Sequence, residues 1–196
     1  MGNALIFVLL LLLIPNIAFA ETLETFVFLP WILDSHKTLY VMVNSSSDIS
    51  STKQQIIQDV ILSKKQFTVD NKIYFKGWQG ALDQINYFDN IPIKIVFTDD
   101  FRKSNLISID LNDRLSNYDG FTKFELHHNK IITSNITIYN FKNLSDSEFE
   151  KILQHEFGHS LGLAHSNDVE DIMYDVLPMT NPYISYDNVS ALDRLY

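Results

Sequence analysis

One unbroken stretch, from Leu153 to Ser166, constrains this chain more than any other because its polar residues follow the spacing of a metal-binding helix. It reads H-E-x-x-H-x-x-G-x-x-H, with the motif residues at His155, Glu156, His159, Gly162 and His165. An α-helix turns once in about 3.6 residues, so the first two histidines share a face and can reach one ion. Glycine enters the left-handed region without a steric penalty, so the chain can turn out of the helix there and return the third histidine to that ion.

The motif predicts a catalytic zinc site. Three neutral imidazoles leave the fourth position of a tetrahedral ion open, which is typical of catalytic rather than structural zinc. Glu156 follows the first ligand directly and is placed beside the ion without binding it. The alternative, a buried amphipathic helix that holds two histidines by accident, does not account for the glycine and the third histidine. We therefore predict zinc ligands at His155, His159 and His165, with Glu156 as the catalytic residue.

The pattern resembles that of the metzincins, a superfamily of zinc endopeptidases. Ser166, directly after the third histidine, is similar to the matrixins, the matrix metalloproteinase family. The segment from Asp171 to Tyr174 resembles the tight turn that places a methionine, here Met173, beneath the ligands of these enzymes. A thioether offers a soft apolar surface for that purpose. The resemblance is close from about Lys130 to Tyr196 and loose from Thr38 to Asn129.

The rest of the chain predicts an α+β domain, and the resemblance implies a zincin-like metzincin catalytic domain over residues 21–196. Runs of β-forming or alternating apolar residues predict five strands, at Thr38–Asn44, Ile91–Phe97, Leu106–Leu111, Phe121–His127 and Ile131–Tyr139. We expect a twisted mixed sheet of about five strands with three helices. The resemblance places the cleft between this part and a small C-terminal part that begins near His165.

Helix signals differ in strength along the chain. Ser145–Glu148 is a capping box at the start of the motif helix, and Ser185 is expected to cap the last helix. A first long helix capped at Asp70 or Asn71 is predicted by four large apolar residues at helical spacing, Tyr74, Trp78, Leu82 and Ile85. Residues 56–62 are ambiguous between helix and strand.

The N-terminus predicts export. Ala4–Ile14 is an apolar run of 11 residues, and small residues at Ala18 and Ala20 suit cleavage by a signal peptidase, so residues 1–20 are expected to be a signal peptide. The run is short for a membrane span. Met1–Leu5 has no Lys or Arg, however, so an uncleaved membrane anchor stays open as an alternative. We expect a secreted or extracellular protein, with anchoring at the cell surface as the alternative.

Charge and motif together restrict the partners. A formal net charge of −9 disfavours non-specific binding to nucleic acid. One domain of this length is expected to be a monomer that acts on peptide or protein substrates. By resemblance, the substrate lies extended and antiparallel to the edge strand Phe121–His127. The rival hypotheses are a zinc-stabilised binding module, against which an intact Glu156 argues, and a protease of narrow role that processes one partner.

Additional metals and modifications have weaker sequence support. Matrixins hold a structural zinc through histidines and an aspartate, but only one of His127 and His128 can match that set, so exposed histidines at a strand end are the preferred interpretation. Acidic loop residues are candidate Ca²⁺ ligands without the spacing of a defined calcium loop, namely Asp99, Asp100, Asp110, Asp113 and Asp119. Of four N-x-S/T sequons, Asn44 and Asn143 are the better glycosylation candidates because Asn135 and Asn188 fall in a predicted strand and a helix start.

Latency is expected to differ from that of the matrixins, which are usually held inactive by a propeptide cysteine. The chain has no cysteine, and 17 residues separate the expected cleavage point from the first strand. Matrixins also carry paired aspartates early in the last helix, matched here by Asp187, expected to bond the methionine turn, and by the uncharged Asn188. We expect activity once the signal peptide is removed. The alternative is a leader, residues 21–37, that lies across the cleft with Glu21 or Glu24 as a weak ligand.

Overall fold

The structure, a computed structural model, describes residues 29–33, 35–87, 90–175 and 183–196. The strands in chain order are β1 (Thr38–Ser45), β2 (Gln66–Val69), β3 (Lys72–Phe75), β4 (Lys94–Phe97), β5 (Leu106–Asn112), β6 (Gly120–His127), β7 (Lys130–Tyr139) and β8 (Ile184–Ser185). The helices are α1 (Ser51–Leu62), α2 (Trp78–Leu82), α3 (Asp146–Ser160) and α4 (Tyr186–Asp193).

A five-stranded mixed sheet organises the domain, as the sequence predicts. Its strand order is β4-β1-β5-β7-β6. β1 runs parallel to β4 and β5, β5 runs parallel to β7, and only β6 is antiparallel to its neighbour β7. The predicted α+β class is thus confirmed, and each of the five predicted strands is present. β6 ends the sheet, so one side of its backbone has no strand partner among the described residues.

Alternation along the inner strands builds the core beneath the motif helix. From Ile107 on β5 and from Ser134 on β7, every second side chain is buried. These buried residues include Ile109, Leu111, Ile136 and Ile138. Helix α3 packs against β6 and β7, and α1 packs against α3. The apolar face of α3 completes this core with Phe149, Ile152, Leu153 and Phe157. Burial of that face holds α3 on the sheet, so its opposite face is available for polar groups.

The long helix predicted between residues 70 and 85 is wrong. β2 and β3 form an antiparallel hairpin, and Asp70 and Asn71 are the two residues of its turn, with φ angles of 46° and 62°. A two-residue hairpin loop of type I′ has positive φ at both positions, which Asn and Asp tolerate. The residues expected to cap a helix therefore turn a hairpin. Only α2, five residues that include Trp78, is helical in this region.

Two further differences follow from this hairpin. β3 also pairs with β8, which makes a second sheet of three strands in the order β2-β3-β8. The ambiguous stretch at residues 56–62 lies in α1, whose first turn is capped by the Ser50 hydroxyl accepting from the Lys53 amide at 3.2 Å. The described residues therefore contain four helices rather than the three predicted.

The chain before β1 is part of the fold from Leu29 onwards. Ile32 donates its amide to the Ile131 carbonyl, and the Ile131 amide donates to Pro30, both at 2.9 Å. Trp31 between them is 4% exposed. The predicted signal peptide and the first eight leader residues, 21–28, lie outside the described residues. Within the described ranges, no helix combines the length and the apolar character needed to cross a bilayer.

Candidate active site

Helix α3 begins as the sequence predicts and carries the first part of the motif to the edge of the sheet. The Ser145 hydroxyl accepts from the Glu148 amide at 3.3 Å, and the Ser145 amide donates to Glu148 Oε2 at 2.8 Å. This reciprocal cap satisfies two amides that a helix leaves without partners. His155 and His159 then project from the polar face of α3.

The structure brings the three motif histidines together. The Nε2 atoms of His155 and His159 lie 3.0 Å apart, and those of His159 and His165 lie 3.1 Å apart. One nitrogen from each ring lies within 4.8 Å of the others. Zinc–nitrogen bonds of about 2.0–2.1 Å would separate tetrahedral ligand atoms by about 3.3 Å, so this spacing suits one small ion.

Hydrogen bonds to the other ring nitrogens orient two of the imidazoles. His155 Nδ1 lies 2.8 Å from the Ile172 carbonyl oxygen, and His159 Nδ1 lies 2.8 Å from that of Leu163. A carbonyl oxygen only accepts, so both Nδ1 atoms carry the proton and both Nε2 atoms present a lone pair. Such a second hydrogen bond is the usual support of a metal-binding histidine.

Burial keeps these two imidazoles neutral. It lowers the pKa of His155 to about 4 and that of His159 to about 3, so neither ring takes up a second proton at pH 7. The two Nε2 atoms face each other at 3.0 Å, and neither carries a hydrogen that could bond the other. A cation between them would satisfy both, and metal binding requires the neutral ring. The donor set therefore fits zinc.

Glu156 is held between α3 and the edge strand. Its side chain is 7% exposed, and the Thr122 hydroxyl lies 2.6 Å from Oε2. Burial raises the pKa of Glu156 to about 7, while the hydrogen bond from Thr122 acts in the opposite direction. A carboxyl group with a pKa near neutral can both take up and release a proton at low free-energy cost. Sequence reasoning missed Thr122, because alternation along a strand predicts on which side of the sheet a side chain lies but not which residue it contacts.

Met173 packs against a glycine of the motif helix. The side chain is 1% exposed. A Cβ on Gly158 would overlap the Met173 sulfur and would come within 2.8 Å of Trp78 Cζ2. Sequence reasoning did not identify Gly158, the fourth residue of H-E-F-G-H, as part of the site. The structure shows that its missing side chain is what allows the methionine and the indole to approach α3 closely.

Gly158→Ala is expected to lower the free energy of unfolding by about 1–3 kcal/mol, the usual cost of overpacking a filled core. Urea denaturation of the zinc-loaded protein measures it. Ser147→Ala, on the exposed first turn of the same helix, is the matched control. An unfolding midpoint equal to that of the control would show that the methionine does not depend on this gap.

Asn188, rather than Asp187, anchors the methionine turn. The Asn188 amide group donates to both carboxylate oxygens of Asp171, at 2.9 and 3.1 Å. Asp171 Oδ1 in turn accepts from the Met173 amide at 2.7 Å. Asp187 is exposed on the outer side of α4, so the role expected for it was wrong. Because the same turn supplies the Ile172 carbonyl to His155, α4 contributes to the orientation of a ligand.

Both ends of the described chain support the turn that leads to His165. Gly162 has a φ of 94°, as its place after the helix predicts. The carbonyls at the end of α3 lack partners within the helix. Here the Trp31 indole donates to the Ser160 carbonyl at 2.8 Å, and the Tyr196 hydroxyl donates to that of Leu161 at 2.8 Å.

The other candidate ligands do not join a cluster of this kind. Among the described residues, only the three motif histidines form a group of three or more side chains suited to a metal ion. His127 and His128 are exposed at the turn between β6 and β7, with ring centroids 4.0 Å apart. Asp110, one of the candidate calcium ligands, accepts from the amide groups of Asn44 at 2.8 Å and Asn135 at 2.7 Å.

Comparison with known proteins agrees with this geometry. A model of the matrixin family matches residues 37–196. The chain is 36% identical to interstitial collagenase of Bos taurus over 55 residues, which is 28% of this chain and 12% of that protein. It is 44% identical to matrix metalloproteinase-20 of Homo sapiens over 48 residues, 23% of this chain and 10% of that protein. The matches thus span about a tenth of the length of these curated relatives.

Solved structures include a similar metalloproteinase. Metalloproteinase-II from Bacteroides fragilis aligns with a TM-score of 0.45 and 14% identity, over 86% of this chain and 56% of that one. The family assignment rests instead on the match to the matrixin family model, which covers most of the chain, from just before β1 to the last residue. The chain belongs to the matrixin family of zinc metalloendopeptidases.

Proposed function

We propose that this matrixin is an exported zinc-dependent endopeptidase that hydrolyses peptide bonds of extracellular proteins or peptides. The observations that carry the proposal are the convergence of three histidine nitrogens and the burial of Glu156, the residue next to His155 in the chain. His155, His159 and His165 would hold the ion, and Glu156 is the general base. A binding module would need the histidines but would have no use for a desolvated carboxylate at their side.

The chain's own groups divide the work of hydrolysis. Zinc, when bound, acts as a Lewis acid that polarises the scissile carbonyl and makes water more acidic. Glu156 takes a proton from the attacking water on a carboxylate oxygen and returns it to the nitrogen of the leaving amine. The carbonyls of Ile172 and Leu163 keep His155 and His159 in the tautomer that presents Nε2. Burial of Glu156 excludes bulk water from the proton that it carries.

The open edge of β6 suits an extended substrate. Gly120 and Thr122 both approach Glu156, so this strand runs directly past the base. A peptide that added to β6 in the antiparallel sense would use main-chain hydrogen bonds for affinity. Its side chains would alternate between the protein and solvent, and pockets beside the site would give specificity.

A peptide library incubated with the zinc-loaded chain that begins at Glu21 tests the proposal. We expect cleavage at internal bonds of the peptides, loss of cleavage after chelation, and recovery when zinc is restored. Mass spectrometry of the products locates the cut bonds. An absence of cleavage by a folded chain that contains zinc would refute the proposed activity and would favour the binding module.

Zinc stoichiometry tests the ligand assignment. We expect one zinc per chain after dialysis and much less in His165→Ala, because two imidazoles are a poor tetrahedral set. Affinity should also fall in acid, since protonation removes the lone pairs of the ligands. His127→Ala is the control, with an expected stoichiometry that stays at one. A wild-type value near two would show that His127 and His128 hold a second ion after all.

Export is proposed from the sequence of residues 1–20. N-terminal sequencing of protein secreted by an expressing cell should begin at Glu21 if the segment is removed as proposed. Of the two preferred sequons, Asn143 is exposed, and so is Asn44, although its amide nitrogen donates to Asp110 at 2.8 Å. Asn188 is 5% exposed and bonded to Asp171, so a glycan there would break the methionine-turn network.

A further inference from the structure

Two residues of the edge strand β6 shape the surroundings of Glu156. The Thr122 hydroxyl lies 2.6 Å from Glu156 Oε2, and an ionised carboxylate only accepts, so the hydroxyl donates. Gly120 lies two residues earlier on the same face of the strand. A Cβ on Gly120 would come within 2.7 Å of both Cγ and Oε1 of Glu156. Thr122 therefore holds Oε2, and Gly120 leaves room for Oε1.

This arrangement restricts a side chain that otherwise has three rotatable bonds. Hydrogen bonds from a hydroxyl to a carboxylate are short and strong, at about 2.5–2.7 Å, and this one falls in that range. Threonine is branched at Cβ, so few rotamers are open to its hydroxyl. The same Thr122 oxygen lies 3.1 Å from the Glu156 carbonyl, which keeps it close to the helix backbone as well. Oε1 is then left over Gly120, free to accept a proton.

We propose that Thr122 is a positioning residue that holds the Glu156 carboxylate in its reactive orientation, with Gly120 providing the space. The proposal rests on the proposed role of Glu156 as general base. Thr122 faces α3 rather than the open edge of β6, so it acts on the base and not on the bound peptide. Its contribution therefore belongs to the chemical step and should appear in kcat rather than in KM.

Thr122→Val tests the proposal because valine keeps the branched shape and lacks the hydroxyl. We expect kcat to fall about tenfold or more, the effect of losing a hydrogen bond to a charged group, with KM within about twofold of wild type. Thr122→Ser, which keeps a donor, should restore most of kcat. Thr133→Val makes the same change on the neighbouring strand β7 and should leave kcat unchanged. Zinc content and the melting temperature of each variant are measured alongside.

Gly120→Ala tests the space beneath the carboxylate. The added methyl group should push the Glu156 side chain away from β6 and lower kcat while zinc stays at one per chain. A crystal structure of this variant and one of Thr122→Val give a readout independent of activity. Both should show the carboxylate in a different rotamer from that of the wild-type protein. An unmoved carboxylate in the two structures would overturn the proposal.

Each kinetic outcome decides between distinct conclusions. An unchanged kcat in Thr122→Val, or an equal loss in Thr122→Ser, would overturn the positioning role of the hydroxyl. A parallel loss of zinc or of melting temperature in Thr122→Val would also overturn it, because the residue would then be structural. The proposed function fails separately, if wild-type protein cleaves nothing or Glu156→Gln keeps full activity. If Glu156→Gln is inactive and Thr122→Val is fully active, only the role of Thr122 is lost.

Discussion

Glu156→Ala is expected to keep one zinc per chain and the wild-type fold while kcat falls about 10²–10⁴-fold, the usual contribution of a general base. We expect His155 and His159 to keep their orientation because their second hydrogen bonds go to Ile172 and Leu163. The variant lacks the carboxylate that we propose takes the proton from water. Initial rates on a peptide identified from the library measure the effect, with metal analysis of the same samples.

Two companion variants sharpen this test. Glu156→Gln keeps the size of the side chain and loses the base, so its rate should match that of the alanine variant rather than of wild type. Glu150→Ala makes the same truncation elsewhere on α3 and should retain full activity. If Glu156→Ala kept more than half of the wild-type rate, the carboxylate would have no place in the mechanism.

A chain that begins at Thr38 is expected to be severely destabilised relative to one that begins at Glu21. It would lack Trp31, and removal of a buried tryptophan side chain typically costs about 3–5 kcal/mol. It would also lose the indole donor to the Ser160 carbonyl and both backbone bonds to Ile131. Thermal and urea denaturation of the two zinc-loaded chains measure the difference. Equal stability would show that the segment before β1 is dispensable.

The contacts of Trp31 restrict which shortened chains can be used to test latency. A comparison of chains that start at Glu21 and at Thr38 would confuse inhibition with unfolding, so the shorter chain should begin at Leu29, which keeps Trp31. Equal initial rates are expected, because we propose that the leader does not block the site. A lag in the longer chain, or a large gain in the shorter one, would mean that residues 21–28 are inhibitory. Trp31→Phe is a control for the stability measurement, since it removes the indole donor to Ser160 and keeps a buried aromatic ring.

Much of the candidate site could be predicted because it depends on local geometry. The spacing of His155 and His159 acts through the pitch of one helix, and the capping box at Ser145 joins residues only three positions apart. Gly162 follows from the need for positive φ after the last helical turn. Strand alternation likewise predicted the five strands of the mixed sheet. In each case the deciding interaction lies within a few residues of the chain, where periodicity and residue type carry the information.

The helix predicted after residue 70 shows where local patterns fail. Tyr74 and Trp78 have helical spacing, yet Asp70 and Asn71 suit a hairpin turn equally well, and both readings are locally consistent. Pairing of β3 with β2 on one side and with β8 on the other decided between them, because each new strand pair satisfies backbone groups that a helix would satisfy internally. β8 lies about 110 residues further along the chain, beyond the reach of any local pattern.

The sequence by itself determined the family and the helix that carries two of the motif histidines. Only the tertiary structure decided what surrounds them. Thr122 meets Glu156 across 34 positions, Asn188 meets Asp171 across 17, and Trp31 meets Ser160 across 129. The physical reason is that a side-chain hydrogen bond depends on position in space, and the packing of α3, β6 and the chain ends sets that position. A motif therefore shows which groups react, while the fold shows which groups hold them in place.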